Sequence, residues 1–215
     1  MVPELAGAAA SELADLRDAA FRAAASLPAR WIAVGVGPAD TVVAPPQAGT
    51  FAGYGADVRI ALSPEHAHAP TQLPLCALIA GWLRGQAKPA ANVEVRVYAD
   101  DLDVDEALTQ GRQLRAEIDE AADPVGVLIV ADGANTLTPP APGGYNPVSV
   151  PIQDAVDDVL ARGHLAALTA LPTNIVGRVA YQVLAGLAEP EPVSCQELYR
   201  GAPYGVGYYV GVWQP

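Results

Sequence analysis

The residues best suited to chemistry are few. Two histidines stand one residue apart in Pro64-Glu-His-Ala-His-Ala-Pro70. In an extended segment, alternate side chains point to the same side, so His66 and His68 could chelate a metal, with Glu65 adding an oxygen. The flanking prolines favour a plainer reading, a surface loop carrying a solvated pair. Asp132 and Asn135 lie in Ala131-Asp-Gly-Ala-Asn-Thr-Leu137, just past the clearest apolar run of the chain, Val125 to Ala131. Ligands of open α/β sheets bind outside the carboxyl ends of strands, which makes this turn a candidate pocket wall. Equally, Asp132-Gly133 could form a simple turn in which Asn135 satisfies backbone groups. Asp40, past a second apolar run, and Tyr145 complete the candidate polar set of a pocket.

The remaining constellations are incomplete. Gly35-Val-Gly37 follows a strand-like run, but Pro38 interrupts the turn and Asp40 stands where a dinucleotide fingerprint needs its third glycine. No phosphate-binding loop of the Walker type occurs, and no serine lies in a nucleophile elbow. Cys76 and Cys195 are far apart, show no C-x-x-C spacing, and read as core or near-core thiols of a reducing compartment. His164 reads as a surface residue at a helix start. The acidic run Asp100 to Asp105 is most simply the capped start of a helix, because the spacing and glycine of a calcium loop are missing.

These residues need elements to position them. Pro3 to Ser26 is predicted to be one amphipathic helix burying Leu5, Leu13, Leu16, Ala20 and Ala24. Trp31 to Val36 and Val125 to Ala131 are continuous apolar runs and are expected to be adjacent or near-adjacent buried parallel strands. Asp57 to Leu62 and Asn92 to Tyr98 alternate, as an exposed strand and a sheet-edge strand would. Thr41 to Gly55 reads as an extended loop. Helices are predicted over Leu73–Arg84, Val104–Ala121, Ile152–Arg162, Leu165–Leu171 and Ile175–Ala188, and a closing strand over Gly205–Trp213. Alternating strands and helices imply one α/β domain spanning residues 1–215, with a largely parallel sheet covered by helices on both faces.

Composition narrows the function classes. At 215 residues and 51% hydrophobic, the chain can bury a sizeable core. Its formal charge of −12 opposes binding to nucleic acid or to anionic membrane surfaces. A single lysine among twelve basic residues, with abundant alanine, glycine and proline, suggests a bacterial source. The apolar stretches are too short to span a membrane, and no signal-peptide pattern opens the chain; a cytoplasmic location is expected.

Residues 131–147, ending in Ala141-Pro-Gly-Gly-Tyr-Asn-Pro147, resemble the LigB-type catalytic subunit of class III extradiol dioxygenases. In that family a strand leads into a G-D-L-S-H-like turn, and then a Pro/Gly segment ends near A-P-x-G-Y-(D/N)-P. Arg162-Gly-His-Leu165 is similar to the Gly-Asp-Leu-like turn that follows. Ala202-Pro-Tyr-Gly-Val-Gly-Tyr208 looks like the last strand of the same superfamily, which includes MEMO-type proteins. The resemblance covers about three quarters of the chain. It implies a LigB-like fold and oxygen-dependent catechol ring opening at a non-haem Fe(II) held by two histidines and a glutamate, with another histidine as acid/base.

Carried over residue by residue, that machinery is not met. The first iron histidine belongs in a Pro-His-Pro turn after an opening strand, and this sequence starts in a helix with Met1-Val-Pro-Glu; a strand preceding Met1 is expected. The second belongs in a Pro-His step, where Pro38-Ala39 stands. The acid/base histidine aligns with Asn135, and Glu197 is the candidate for the ligand glutamate. Alanine has no lone pair to give iron, and an amide cannot exchange a proton near neutral pH. The resemblance therefore implies a LigB-like domain without its iron site, serving as a small-molecule-binding or protein-interaction module. The alternatives are an active enzyme, either an extradiol dioxygenase holding Fe(II) through His66 and His68 or a related metal-dependent chemistry in the same cleft, and the partner subunit of an active chain, which would show a large apolar surface patch. A missing opening strand would leave a sheet edge for a homo-oligomer to shield.

Overall fold

The computed structural model describes residues 1–65 and 69–214, apart from the side chains at positions 8 and 9. His66 and His68 thus lie outside the described residues. The chain groups into two compact units that interleave in sequence: 1–99 with 121–130, and 100–120 with 131–215.

Unit 1 opens with helix α1 (Pro3–Ala6), a 3-10 segment (Gly7–Leu13) and helix α2 (Ala14–Ser26). The single helix predicted over Pro3–Ser26 is therefore broken. The break falls at Gly7, whose φ of 54° with ψ of −130° is a conformation open to glycine and incompatible with continuing the helix. Of the predicted buried face, Leu13, Leu16, Ala20 and Ala24 are buried, whereas Leu5 is 37% exposed. The strands are β1 (Arg30–Gly37), β2 (Thr41–Val43), β3 (Ala48–Thr50), β4 (Arg59–Ala61), β5 (Asn92–Ala99) and β6 (Val125–Ile129), with helix α3 (Leu75–Ala87) before β5. A four-stranded sheet runs β2-β5-β1-β6, and β3 pairs with β4 in a separate ribbon. Within the larger sheet β1 is parallel to β5 and β6, while β2 is antiparallel to β5. The fold is α/β with a mixed, mostly parallel sheet.

Trp31 pairs with Gly126 and Val34 with Ile129, so the two apolar runs are adjacent parallel strands as expected. The expectation of full burial fails for the second. β6 ends the hydrogen-bonded order, and Val125, Val127, Leu128 and Ile129 are half-buried. Asn92–Tyr98, expected at an edge, is interior instead, between β2 and β1. Its alternating pattern has a local cause: Glu94 and Arg96, two apart on one face of β5, pair at 2.5 Å. The opposite face supplies Val93, Val95 and Val97 to a core shared with Trp31, Phe51, Leu62 and Leu78. Each such side chain contributes roughly 1.5–3 kcal/mol of transfer free energy on burial. α3 packs on β1, β5 and β4, and α2 packs on α3. The contact of α3 with β1 explains Gly35, whereas Gly37 faces Val97 of β5. A Cβ on Gly35 would come within 2.3 Å of the Cys76 Cβ, so glycine lets α3 approach β1.

Unit 2 holds helices α4 (Val104–Asp119), α5 (Ser149–Arg162), α6 (Leu165–Leu168) and α7 (Arg178–Leu187), and strands β7 (Ser194–Gly201) and β8 (Tyr208–Gln214). Asp103 caps α4 as expected, its carboxylate accepting from the Asp105 amide at 2.9 Å. α4 and α7 meet backbone to backbone through two small residues. A Cβ at Gly111 would lie 2.2 Å from the Val183 carbonyl, and one at Gly186 would lie 2.2 Å from that of Leu108. β7 and β8 form an antiparallel ribbon with an irregularity between Glu197 and Tyr199. No helix among the described residues is long and apolar enough to cross a membrane.

Candidate functional site: the 131–137 turn

In unit 2 the segment from Ala131 to Leu137 is laced to two other backbones. On one side Gly177 N–H donates to the Asp132 carbonyl at 2.8 Å, and Ala134 forms an isolated antiparallel bridge with Ile175. On the other, Gly133 N–H donates to Gly207, Gly207 N–H to Ala134, and Leu137 N–H to Gly205, all at 2.8–3.0 Å. Few internal bonds would be expected of a simple loop; this one is fixed like a strand between two others.

A buried amide completes the lock. Gln153 on α5 is 5% exposed, and its Oε1 accepts from the Ala134 N–H at 2.7 Å. Its Nε2 donates to Asp157 Oδ1 at 2.8 Å, one helical turn further along α5. Gly133 and Gly207 press on this side chain so closely that a Cβ at either would lie 2.2 Å from it. Asp157 is itself buried, and burial lifts its carboxyl to about 6, partly offset by the Gln153 bond and the nearby positive charge of Arg200. Asp154 and Glu197 add to the upward shift as like charges. Nothing in the sequence marked Gln153 or Asp157. A glutamine four residues before an aspartate on a helix reads as a solvated pair, and only their 5–6% exposure shows otherwise.

The candidate residues divide clearly. Asp40 belongs to unit 1, where its carboxylate accepts from the Ala99 N–H at 2.7 Å. Asp132, Asn135 and Tyr145 belong to unit 2. Asp132 is solvent-exposed, yet desolvation holds its carboxyl above the ordinary carboxylate range. The two facts agree if the group is walled on most sides and open on one. Its charge raises the phenols of two tyrosines: Tyr208, pushed up to about 12 chiefly by burial, and the buried Tyr181, whose hydroxyl donates to the Ala131 carbonyl at 3.3 Å. Asn135 is half-buried beside Gly143, and its carboxamide makes no side-chain hydrogen bond among the described residues. Its backbone carbonyl accepts from Gly143 N–H at 2.9 Å. Tyr145 is 53% exposed, and no hydrogen bond among the described residues joins its side chain to Asn135.

The iron machinery implied by the family resemblance does not fit these residues. Ala39 is exposed and has no donor atom. Asn135 offers an amide where the acid/base histidine would stand. Glu197, on β7, is engaged by Arg200 at 2.6 Å, and Arg200 also bonds Asp158 at 3.0 Å. His164 is exposed at the start of α6. Among the described residues no three of His, Cys, Asp or Glu converge in a metal-holding group. Cys76 is a buried thiol pushed up to about 11 by desolvation, which makes it inert as a nucleophile.

No protein-family model matches the chain, and no curated protein matches it. A solved structure does: uncharacterized protein JW3007 from Escherichia coli K12, with a TM-score of 0.58 and 11% sequence identity. The match covers 93% of this chain and 92% of that one. At this identity the likeness is one of fold.

Proposed function

We propose that this chain is a LigB-like domain that binds a small polar molecule at the 131–137 turn and does not open aromatic rings at an iron centre. One observation carries the reading. The backbone of the turn is locked by Gln153 and by two neighbouring segments, while the Asn135 carboxamide on it has no hydrogen-bond partner among the described residues. A rigid frame that presents an unspent donor and acceptor suits a binding site, because little backbone ordering is left to be done at binding. Asp132 adds an acceptor whose charged form is disfavoured, and the Tyr208 phenol stays protonated at neutral pH. Together they suit an uncharged or cationic ligand rich in hydroxyl or amino groups, not a second anion.

The test follows the amide resonances of residues 133–135 while catechol, the ring the resemblance supplies, is titrated anaerobically. Saturable shifts are expected. Asn135→Ala should weaken binding by about 1–3 kcal/mol, the cost of a polar ligand group left unpaired. Equal affinity of the variant and the parent would overturn the reading.

A further inference from the structure

Unit 1 contains a cleft of about 410 Å³ whose walls include the side chains of Ile60, Trp82, Arg59 and Arg84, with Glu4 at the same opening. Arg84 sits in the last turn of α3 and is 7% exposed. Its Nε donates to the Ala91 carbonyl at 2.9 Å, Nη1 reaches the Ala61 carbonyl at 3.5 Å, and Nη2 donates to that of Pro89. Three of the five guanidinium N–H groups are thereby used. The charge is a different matter. Among the described residues Arg84 has no carboxylate within ion-pair distance; Arg17, Arg22, Arg30 and Arg178 share this, but of these arginines Arg84 is the buried one.

Carbonyl dipoles and the helix C-terminus stabilise a cation in part. A guanidinium taken out of water normally needs a counter-charge as well. The strain shows in its acidity: desolvation lowers the Arg84 pKa, and no opposing charge raises it. Arg59, on the neighbouring strand β4, adds a second guanidinium to the same cleft. Its pairing with Asp57 is long, at 3.8 Å, and exposed on both sides, so it is weakly committed. The buried Trp82 and Ile60 line the same cleft and offer it apolar surface.

We infer that this cleft binds a small organic anion, its carboxylate or phosphate met by Arg84 and Arg59 and its apolar body laid against Ile60 and Trp82. The site is separate from the 131–137 turn and does not depend on what that turn binds. Glu4 opposes the anion from the rim and sets the affinity low enough for exchange. Arg guanidinium is the side chain suited to this task, since its fork matches a carboxylate or phosphate in two parallel bonds.

Calorimetric titration of the full chain with sodium benzoate, neutral benzamide and inorganic phosphate tests the site. Benzoate is expected to saturate and to bind at least about tenfold more tightly than benzamide, the scale of a charge-assisted hydrogen bond. Arg84→Gln removes three backbone contacts and is apt to unfold the chain, so two rim variants carry the test. Arg59→Ala should weaken benzoate by about threefold, and Glu4→Gln should strengthen it by about threefold, as for exposed charges. Saturation by phosphate but not benzoate upholds the anion site and assigns it to phosphate. Equal binding of benzamide and benzoate, no saturation by either anion, or indifference to both rim variants would overturn the inference.

Discussion

Asp40 and Asp132 occupy similar places in the sequence, each a few residues beyond a parallel strand, and the protein uses them in opposite ways. In unit 1 the Asp40 carboxylate holds the Ala99 amide at 2.7 Å and so ties the turn after β1 to the end of β5. In unit 2 the turn at Asp132 is held by other groups, namely Gln153 and the backbones of 175–177 and 205–207, and the Asp132 carboxylate accepts no amide N–H among the described residues. An acidic residue after a strand is therefore no mark of a site in itself. What separates a structural aspartate from an available one is whether something else already fixes the backbone beneath it.

The largest expected effect comes from removing the group that frees Asp132 from structural duty. Gln153→Leu leaves the Ala134 N–H and the Asp157 carboxyl buried without partners, and should cost about 2–5 kcal/mol in denaturant unfolding. A loss below about 1 kcal/mol would mean that the backbone bonds alone hold the turn, and the contrast with Asp40 would lose its basis.

Next is the acidity of Asp157. Its folded pKa, near 6, lies above the ordinary value of 3.8, so its contribution to stability is fully present below the lower value and is lost as pH rises through the higher one. Asp157→Asn keeps an oxygen for Gln153 Nε2 and removes the titration. The variant should be more stable than the parent by roughly 2 kcal/mol at pH 7.5, with the gap closing toward pH 4. A gap that widens on acidification would show that Asp157 is stabilised as its anion by Arg200.

The smallest pair bears on the two aspartates directly. Asp40→Ala should destabilise unit 1 by about 1 kcal/mol, the usual cost of a lost side-chain-to-backbone bond. Asp132→Asn should leave thermal stability unchanged or slightly higher at neutral pH, because a carboxyl held above its ordinary pKa is destabilised as an anion in the fold. The opposite order of the two melting shifts would reverse the assignment.

Much of the frame was legible in the sequence because it rests on local patterns. The uninterrupted apolar runs of β1 and β6 and the acidic cap of α4 at Asp103 could be read directly. β5 was legible as a strand but not in its position, since the Glu94–Arg96 pair that neutralises its polar face makes an interior strand alternate like an edge. β7 carries Ser194, Gln196, Glu197 and Arg200 with no apolar period, so only its pairing with β8 reveals it. The turn at Asp132 and Asn135 could be singled out by its place after a strand. Gln153, nineteen residues away from the amide it holds, could not, because a buried amide and a solvated one look alike in sequence. Arg84 was hidden for the same reason, as its burial depends on the carbonyls of Ala61, Pro89 and Ala91 rather than on any motif.

The turn at Asp132 and Asn135 is proposed to serve binding without iron. Anaerobic loading of the full chain with excess Fe(II), removal of free metal and elemental analysis test it most directly, because they also interrogate His66 and His68. Iron far below one per chain is expected, given Ala39 and Asn135 at the positions where the family resemblance would put a ligand and the acid/base histidine. About one tightly held iron per chain, the content that a complete two-histidine-one-carboxylate site would retain, would contradict the account.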